Sequence, residues 1–178
     1  VHLSGRIADM NKITKFAKKY SIPVIEDAAQ SIGSLYYNKP SGSFGKIGCF
    51  STHPLKNLNA CGDGGFITTN DKTIFEKANL LREHGLIDRN TSICFGFVSR
   101  MDSIQAAILN YRLTKLKDVI AKRRNNAEFY FNKLNSKYIK LPFEKKYEFN
   151  TYHTFVIQTE KRDALQSYLK EKNITTAI

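Results

Sequence analysis

Residues 7–27 constrain the fold most. Met10, Ile13, Phe16 and Ala17 recur at helical spacing with Lys12, Lys15, Lys18 and Lys19 between them, and Pro23 then forbids continuation. The apolar pair Val24-Ile25 follows and closes on Glu26-Asp27, which predicts a buried strand with acids at its carboxyl end. A helix ending near Tyr20 and feeding such a strand is one unit of an α/β fold.

The same alternation continues. Residues 31–45 mix Gly, Ser, Pro and Tyr and predict turns with a short hairpin, and strands are expected at 47–50 and 66–69. Asn70-Asp71 predicts the cap of a helix over 72–84, stopped by Gly85; two further helices are expected over 102–116 and 119–134. Beyond a charged loop at 142–150, a strand over 154–158 and a helix over 162–172 read as the start of a smaller α+β domain. The expected division is a partial large domain at 1–135 and a partial small domain at 136–178.

The chain of 178 residues carries 28 basic and 16 acidic residues, a net charge of +12. The basic runs Lys18-Lys19, Lys122-Arg123-Arg124 and Lys145-Lys146 are short, scattered and outside any recognisable nucleic-acid module, which argues against nucleic acid, and a phosphorylated small ligand would use the same field. A basic, non-catalytic nucleic-acid-binding module is the rival of a different class. No run reaches the roughly 18 apolar residues of a membrane span, and the start VHLSGRIADM lacks a signal-peptide pattern; a cytoplasmic, membrane-free protein is expected. Cys49, Cys61 and Cys94 fit neither a disulfide framework nor a zinc site, and His2, His84 and His153 are too dispersed for a metal centre.

In open α/β sheets, ligands bind beyond the carboxyl ends of strands. Asp27 and Gln30 follow the first strand, Ser51 follows the second, and Lys56 lies in the loop beyond it. An amine, a carboxylate and a hydroxyl at neighbouring strand ends match the needs of pyridoxal phosphate: Schiff-base formation, a partner for the pyridine nitrogen, and a hold on the phosphate. Such residues are also abundant in ordinary loops, which remains the alternative at this point. The CGDGG stretch lacks the context of a P-loop and reads as a turn entering a strand; His53 is either a proton shuttle or a positioned loop histidine.

The motifs VIEDAAQSIGS, GSFGKIGCFSTHPLKNLNACGDGGFITTND, LLREHGL and SRMDSIQAAIL, in this order, resemble the DegT/DnrJ/EryC1/StrS sugar aminotransferases, pyridoxal-phosphate enzymes of fold type I. The resemblance implies a mostly parallel sheet flanked by helices. It implies Lys56 as the Schiff-base lysine, Asp27 as the carboxylate facing the pyridine nitrogen, Gln30 as the glutamine lying against the cofactor, and Ser51 as a phosphate-binding serine. It further implies amino transfer, with glutamate as donor and a nucleotide-linked keto sugar as acceptor, in a homodimer with active sites at the interface. Cell-envelope polysaccharide or a related glycan is the implied destination. A cyclitol or other non-nucleotide ketone is the alternative acceptor. Lysine at 56, where relatives that remove a sugar hydroxyl carry histidine, favours transamination.

Two positions depart from the family pattern. Val98 stands where a GxNxR asparagine is usual, and Thr52 replaces an aromatic residue that would shape the pocket wall. Relatives also have an N-terminal part that contributes a phosphate turn and a ring-stacking aromatic, and they continue past a HYP-type motif. Both are expected to lie outside these residues, leaving the isolated chain without activity.

Overall fold

The computed structural model describes residues 1–134 and 136–178. Residue 135, where the expected domain boundary falls, lies outside the described residues. Helix α1 (Met10–Lys19) starts where the Asp9 carboxylate accepts from Lys12 N, and its last turn carries Lys18 and Lys19 against the negative end of the helix dipole. The chain leaves it through Ser21 at φ 52° and enters β1 (Ile25–Asp27).

Strand β1 runs parallel to β4 (Ile47–Ser51), with Asp27 opposite Cys49; β4 pairs antiparallel with β5 (Gly65–Thr68), with Ser51 opposite Gly65. The order is β1-β4-β5, so the described part of this sheet holds one parallel and one antiparallel pair. Gly65 allows the β4–β5 approach, since a Cβ there would stand 2.5 Å from the Phe50 carbonyl oxygen. The expected hairpin is β2 (Leu35–Tyr36) and β3 (Lys39–Pro40). Helices α2 (Lys72–Arg82), α3 (Ser103–Lys133) and α4 (Arg162–Glu171) complete the helical set, and Asp71 caps α2 by accepting from Thr73 and Ile74 N–H.

Three expectations are corrected. The helices expected at 102–116 and 119–134 are one 31-residue helix, α3, about 46 Å long. Lys117-Asp118 contains no breaker, and Leu116 and Ile120 are buried one turn apart on the same face. The strand expected over 154–158 does not form; only Gln158 bridges Lys140, while Phe155 packs its ring on Tyr130 and Phe131 of α3. Instead β6 (Glu148–Phe149) arises in the charged stretch and pairs with β2, giving a second sheet of order β3-β2-β6. Polar and cationic contacts hold β6: Arg6 bonds Glu148 at 2.9 Å, and the Arg124 guanidinium lies 4.3 Å from the Phe149 ring centre.

Strand β1 also differs from expectation. Its buried residue is Glu26, at 2% exposure, while Ile25 is 62% exposed. Alternation in a strand puts the two on opposite faces, and the face of Glu26 is closed by the loop at 42–45. Glu26 Oε2 accepts from His2 Nε2 at 2.9 Å and Gly42 N at 2.8 Å, and Oε1 accepts from Phe44 N at 2.5 Å and Gly45 N at 2.6 Å. His2 Nδ1 itself accepts from Ala8 N, so the ring is the neutral tautomer with its proton on Nε2. Burial alone would raise the Glu26 carboxyl, but the His2 bond and the three backbone N–H groups together hold it below its ordinary value.

One apolar cluster joins Leu58 and Ala60 to Leu109, Leu116 and Ile120 of α3; another gathers Ile7, Met10 and Tyr36. Between them, Ser34 Oγ donates to Gly5 O at 2.6 Å and lies 3.1 Å from Thr151 Oγ1, with Ser34 and Thr151 both fully buried. Gly5, at φ 87°, is the only residue type that fits there, because a Cβ would meet Tyr152 N at 2.6 Å. Ser34→Ala is expected to cost about 1–2 kcal/mol, read as a shifted urea midpoint with an unchanged slope.

Candidate active site

Parallel pairing puts the carboxyl ends of β1 and β4 at one edge, so Asp27 and Ser51 close neighbouring strands on the same side of the sheet. Asp27 is exposed there, and its carboxylate turns the chain by accepting from Ala29 N at 3.1 Å. Burial, and then the Asp27 charge, push the Cys49 thiol up, as expected for a carboxylate beside residue 49. Gln30 is fixed through Oε1, which accepts from Ser4 N at 2.8 Å. Ser51 Oγ accepts from His53 N at 3.3 Å, which leaves its own proton free to donate.

Lys56 is half-buried, and its backbone N–H donates to His53 O at 2.8 Å, closing a turn at Pro54-Leu55. Helix α3 holds the chain that follows. Arg112 Nη1 donates to Asn59 O at 2.6 Å, Gln105 Oε1 accepts from Cys61 N at 2.8 Å, and Leu58 and Ala60 are buried in the α3 cluster. At the other side of the turn, Thr52 exchanges backbone bonds with Gly64 and Ala60. Its side chain is fully buried with Oγ1 unpaired, so it faces inward where a residue of the pocket wall is expected. His53 is exposed, and its Nδ1 accepts from Leu55 N, a bond within the turn.

Sequence reasoning missed His153. Its Nδ1 lies 3.4 Å from Oδ1 of Asn57, the residue after Lys56. Burial first, then the charges of Lys56 and Arg123, push its ring down to about 4, so it is neutral at physiological pH and sits in the field of the Lys56 ammonium. The stretch NTYH gave no spacing signal for this, because the contact spans 96 residues. Gln105 and Arg112 were equally invisible as supports of a loop some 50 residues upstream.

Across the sheet, a groove of about 1080 Å³ runs along β5 and α2, lined by Phe66, Phe75, Phe97 and Val98 among others. Val98, at the departing asparagine position, bridges Glu83 there, and none of Asp27, Gln30, Ser51 and Lys56 lines it. Asp27 and Ser51 thus close β1 and β4 on the same side, Gln30 follows β1, and Lys56 lies in the turn that leaves β4. Thr52 Oγ1 and Asn57 Nδ2, buried and partnerless, flank the turn that carries Lys56. This donor set fits an anionic, aldehyde-bearing cofactor.

A model of the DegT/DnrJ/EryC1/StrS aminotransferase family matches residues 1–178. The chain is 43% identical over its whole length to the dTDP-3-amino-3,6-dideoxy-alpha-D-galactopyranose transaminase of Aneurinibacillus thermoaerophilus, covering 49% of that protein. It is 39% identical, again over its whole length, to the UDP-N-acetyl-3-dehydro-alpha-D-glucosamine 3-aminotransferase of Acidithiobacillus ferrooxidans, covering 48% of it. Among solved structures, S. venezuelae DesV in complex with a ketimine intermediate superposes with a TM-score of 0.93 at 34% identity, over 97% of this chain and 47% of that one. The chain therefore spans about half the length of the relatives it matches. The fold is that of the type I pyridoxal-phosphate-dependent sugar aminotransferases.

Proposed function

The chain belongs to the DegT/DnrJ/EryC1/StrS aminotransferase family, and on that premise we propose that it carries the lysine face of a pyridoxal-phosphate site. The reaction is transfer of an amino group to a keto group of a nucleotide-linked sugar. The observation that carries this reading is the parallel β1–β4 pair, which sets Asp27 and Ser51 at one edge with Lys56 in the turn leaving β4. Among the described residues, no helix is long and apolar enough to cross a membrane. We further assign the activity to the cytoplasm, glutamate as the donor, a homodimer as the assembly and glycan biosynthesis as the destination. Residues 1–135 belong to the large domain in this reading and 136–178 to the small one, with β6 fastening the second to the first.

Pyridoxal 5′-phosphate, when bound, supplies an aldehyde that accepts an amine and a ring that takes up electrons. Lys56 Nζ would hold the aldehyde, and its free amine would take up and return a proton as general acid and base. Asp27 would keep a proton on the pyridine nitrogen. Ser51 Oγ, with its hydrogen free, would donate to the phosphate, and Gln30, held by Ser4 N–H, would lie against the ring.

Asp27→Asn keeps the shape and removes the charge, so amino transfer is expected to fall about 100-fold or more while the cofactor still reaches Lys56. Stopped-flow absorbance measures both. The acceptor is tested on the full-length protein with glutamate and a panel of ketones. Release of 2-oxoglutarate that requires a nucleotide-linked keto sugar is expected; turnover of free cyclitol ketones alone contradicts the assignment.

A further inference from the structure

Lys56 acts at the end of a short turn, and a turn of this kind wanders unless something holds it. Helix α3 holds the chain after it, at Asn59 to Cys61. Closer to the lysine the available side-chain contact is different. Asn57 is 6% exposed, and His153 Nδ1 approaches its Oδ1 at 3.4 Å. An amide oxygen only accepts, so the ring donates from Nδ1. His153 is itself pinned, because Arg123 Nη1 of α3 donates to its carbonyl at 2.9 Å.

The segment that carries His153 is also tied to the glutamine side of the site. Thr151 N donates to Gly5 O at 2.9 Å, and Thr151 Oγ1 meets Ser34 Oγ, both fully buried. Ser4, next to Gly5, donates to Gln30. A continuous path therefore runs from Gln30 through Ser4-Gly5 and Thr151 to His153, Asn57 and Lys56.

We propose that His153 is a positioning residue for Lys56: its ring holds Asn57 and links the lysine turn to the segment that also fixes the Gln30 loop. The proposal rests on the reading of Lys56 as the cofactor lysine. It assigns His153 no proton transfer, and this agrees with a ring kept neutral by burial and by the neighbouring Lys56 and Arg123 charges.

The test uses the full-length protein and pyridoxal 5′-phosphate. His153→Leu is expected to weaken cofactor binding about tenfold and to shift the visible band of the bound cofactor, with the melting temperature little changed. His153→Asn, whose amide nitrogen replaces Nδ1–H, is expected to restore both to within about twofold. Wild-type affinity and band in His153→Leu, or equal defects in the Leu and Asn variants, overturn the proposal. If His153→Leu does not fold, Asn57→Ala decides: a tenfold loss supports it and unchanged affinity overturns it. A wild-type protein that takes up no pyridoxal phosphate overturns the Lys56 reading and this proposal with it, whereas wild-type uptake with unaffected variants overturns this proposal alone.

Discussion

Lys56→Ala is expected to lower amino transfer by at least about 10³-fold, because one substitution removes both the group that holds the aldehyde and the base that moves the proton. Lys56→Arg separates chemistry from charge: a guanidinium keeps the positive field but neither forms the bond nor gives up a proton. Equal loss in both variants supports chemistry at Nζ; near-normal turnover in Lys56→Arg contradicts it. The Ala variant also reports on His153. The Lys56 charge is the second cause, after burial, of the low His153 pKa of about 4, so its removal should raise that value while burial keeps it below the ordinary 6.5. Imidazole resonances followed through a pH titration give the direction.

The second large effect is on stability. Glu26→Ala removes the acceptor of four hydrogen bonds and leaves three backbone N–H groups and the His2 ring proton unpaired in a site 2% exposed. Breaking one side of such a buried network costs about 3–5 kcal/mol. Denaturant unfolding of the full-length protein measures it, and a loss under about 1 kcal/mol contradicts the account. The pH dependence has a definite sign. The folded Glu26 carboxyl lies below its ordinary 4.5, so its contribution is present above that pH and is lost as the pH falls through the folded value. His153 acts in the same direction: the unfolded ring takes up its proton first, so stability falls as the pH drops from 6.5 toward about 4. Glu26→Ala removes only the lower of these two limbs.

The same residue marks what the sequence could and could not tell. The pattern VIED placed β1 correctly, since a proline, an apolar pair and an acid pair are local signals. It reads the whole strand as buried, whereas Glu26 is interior and Ile25 exposed, because the partners that enclose Glu26, His2 and the loop at 42–45, are brought in only by tertiary contact. Helix α3 is one helix where two are expected, since nothing at Lys117-Asp118 stops it. Strand β6 was hidden because the contacts of Glu148 and Phe149 with Arg6 and Arg124 carry no period-2 signature. The proposed site was legible as a candidate, because Asp27, Gln30, Ser51 and Lys56 sit in motifs with a recognisable order. Its supports were not. Arg112, Gln105 and His153 reach the lysine turn across 44 to 96 residues of chain, and no local spacing encodes such contacts.

In the proposed site Lys56 Nζ is the atom that takes the cofactor. Borohydride reduction of the full-length protein with pyridoxal 5′-phosphate, followed by peptide mass mapping, tests it directly. One stoichiometric pyridoxyl label is expected on the peptide that spans HPLKNLN, at Lys56. A label on another lysine, or none at Lys56 in a protein that binds the cofactor, would contradict it.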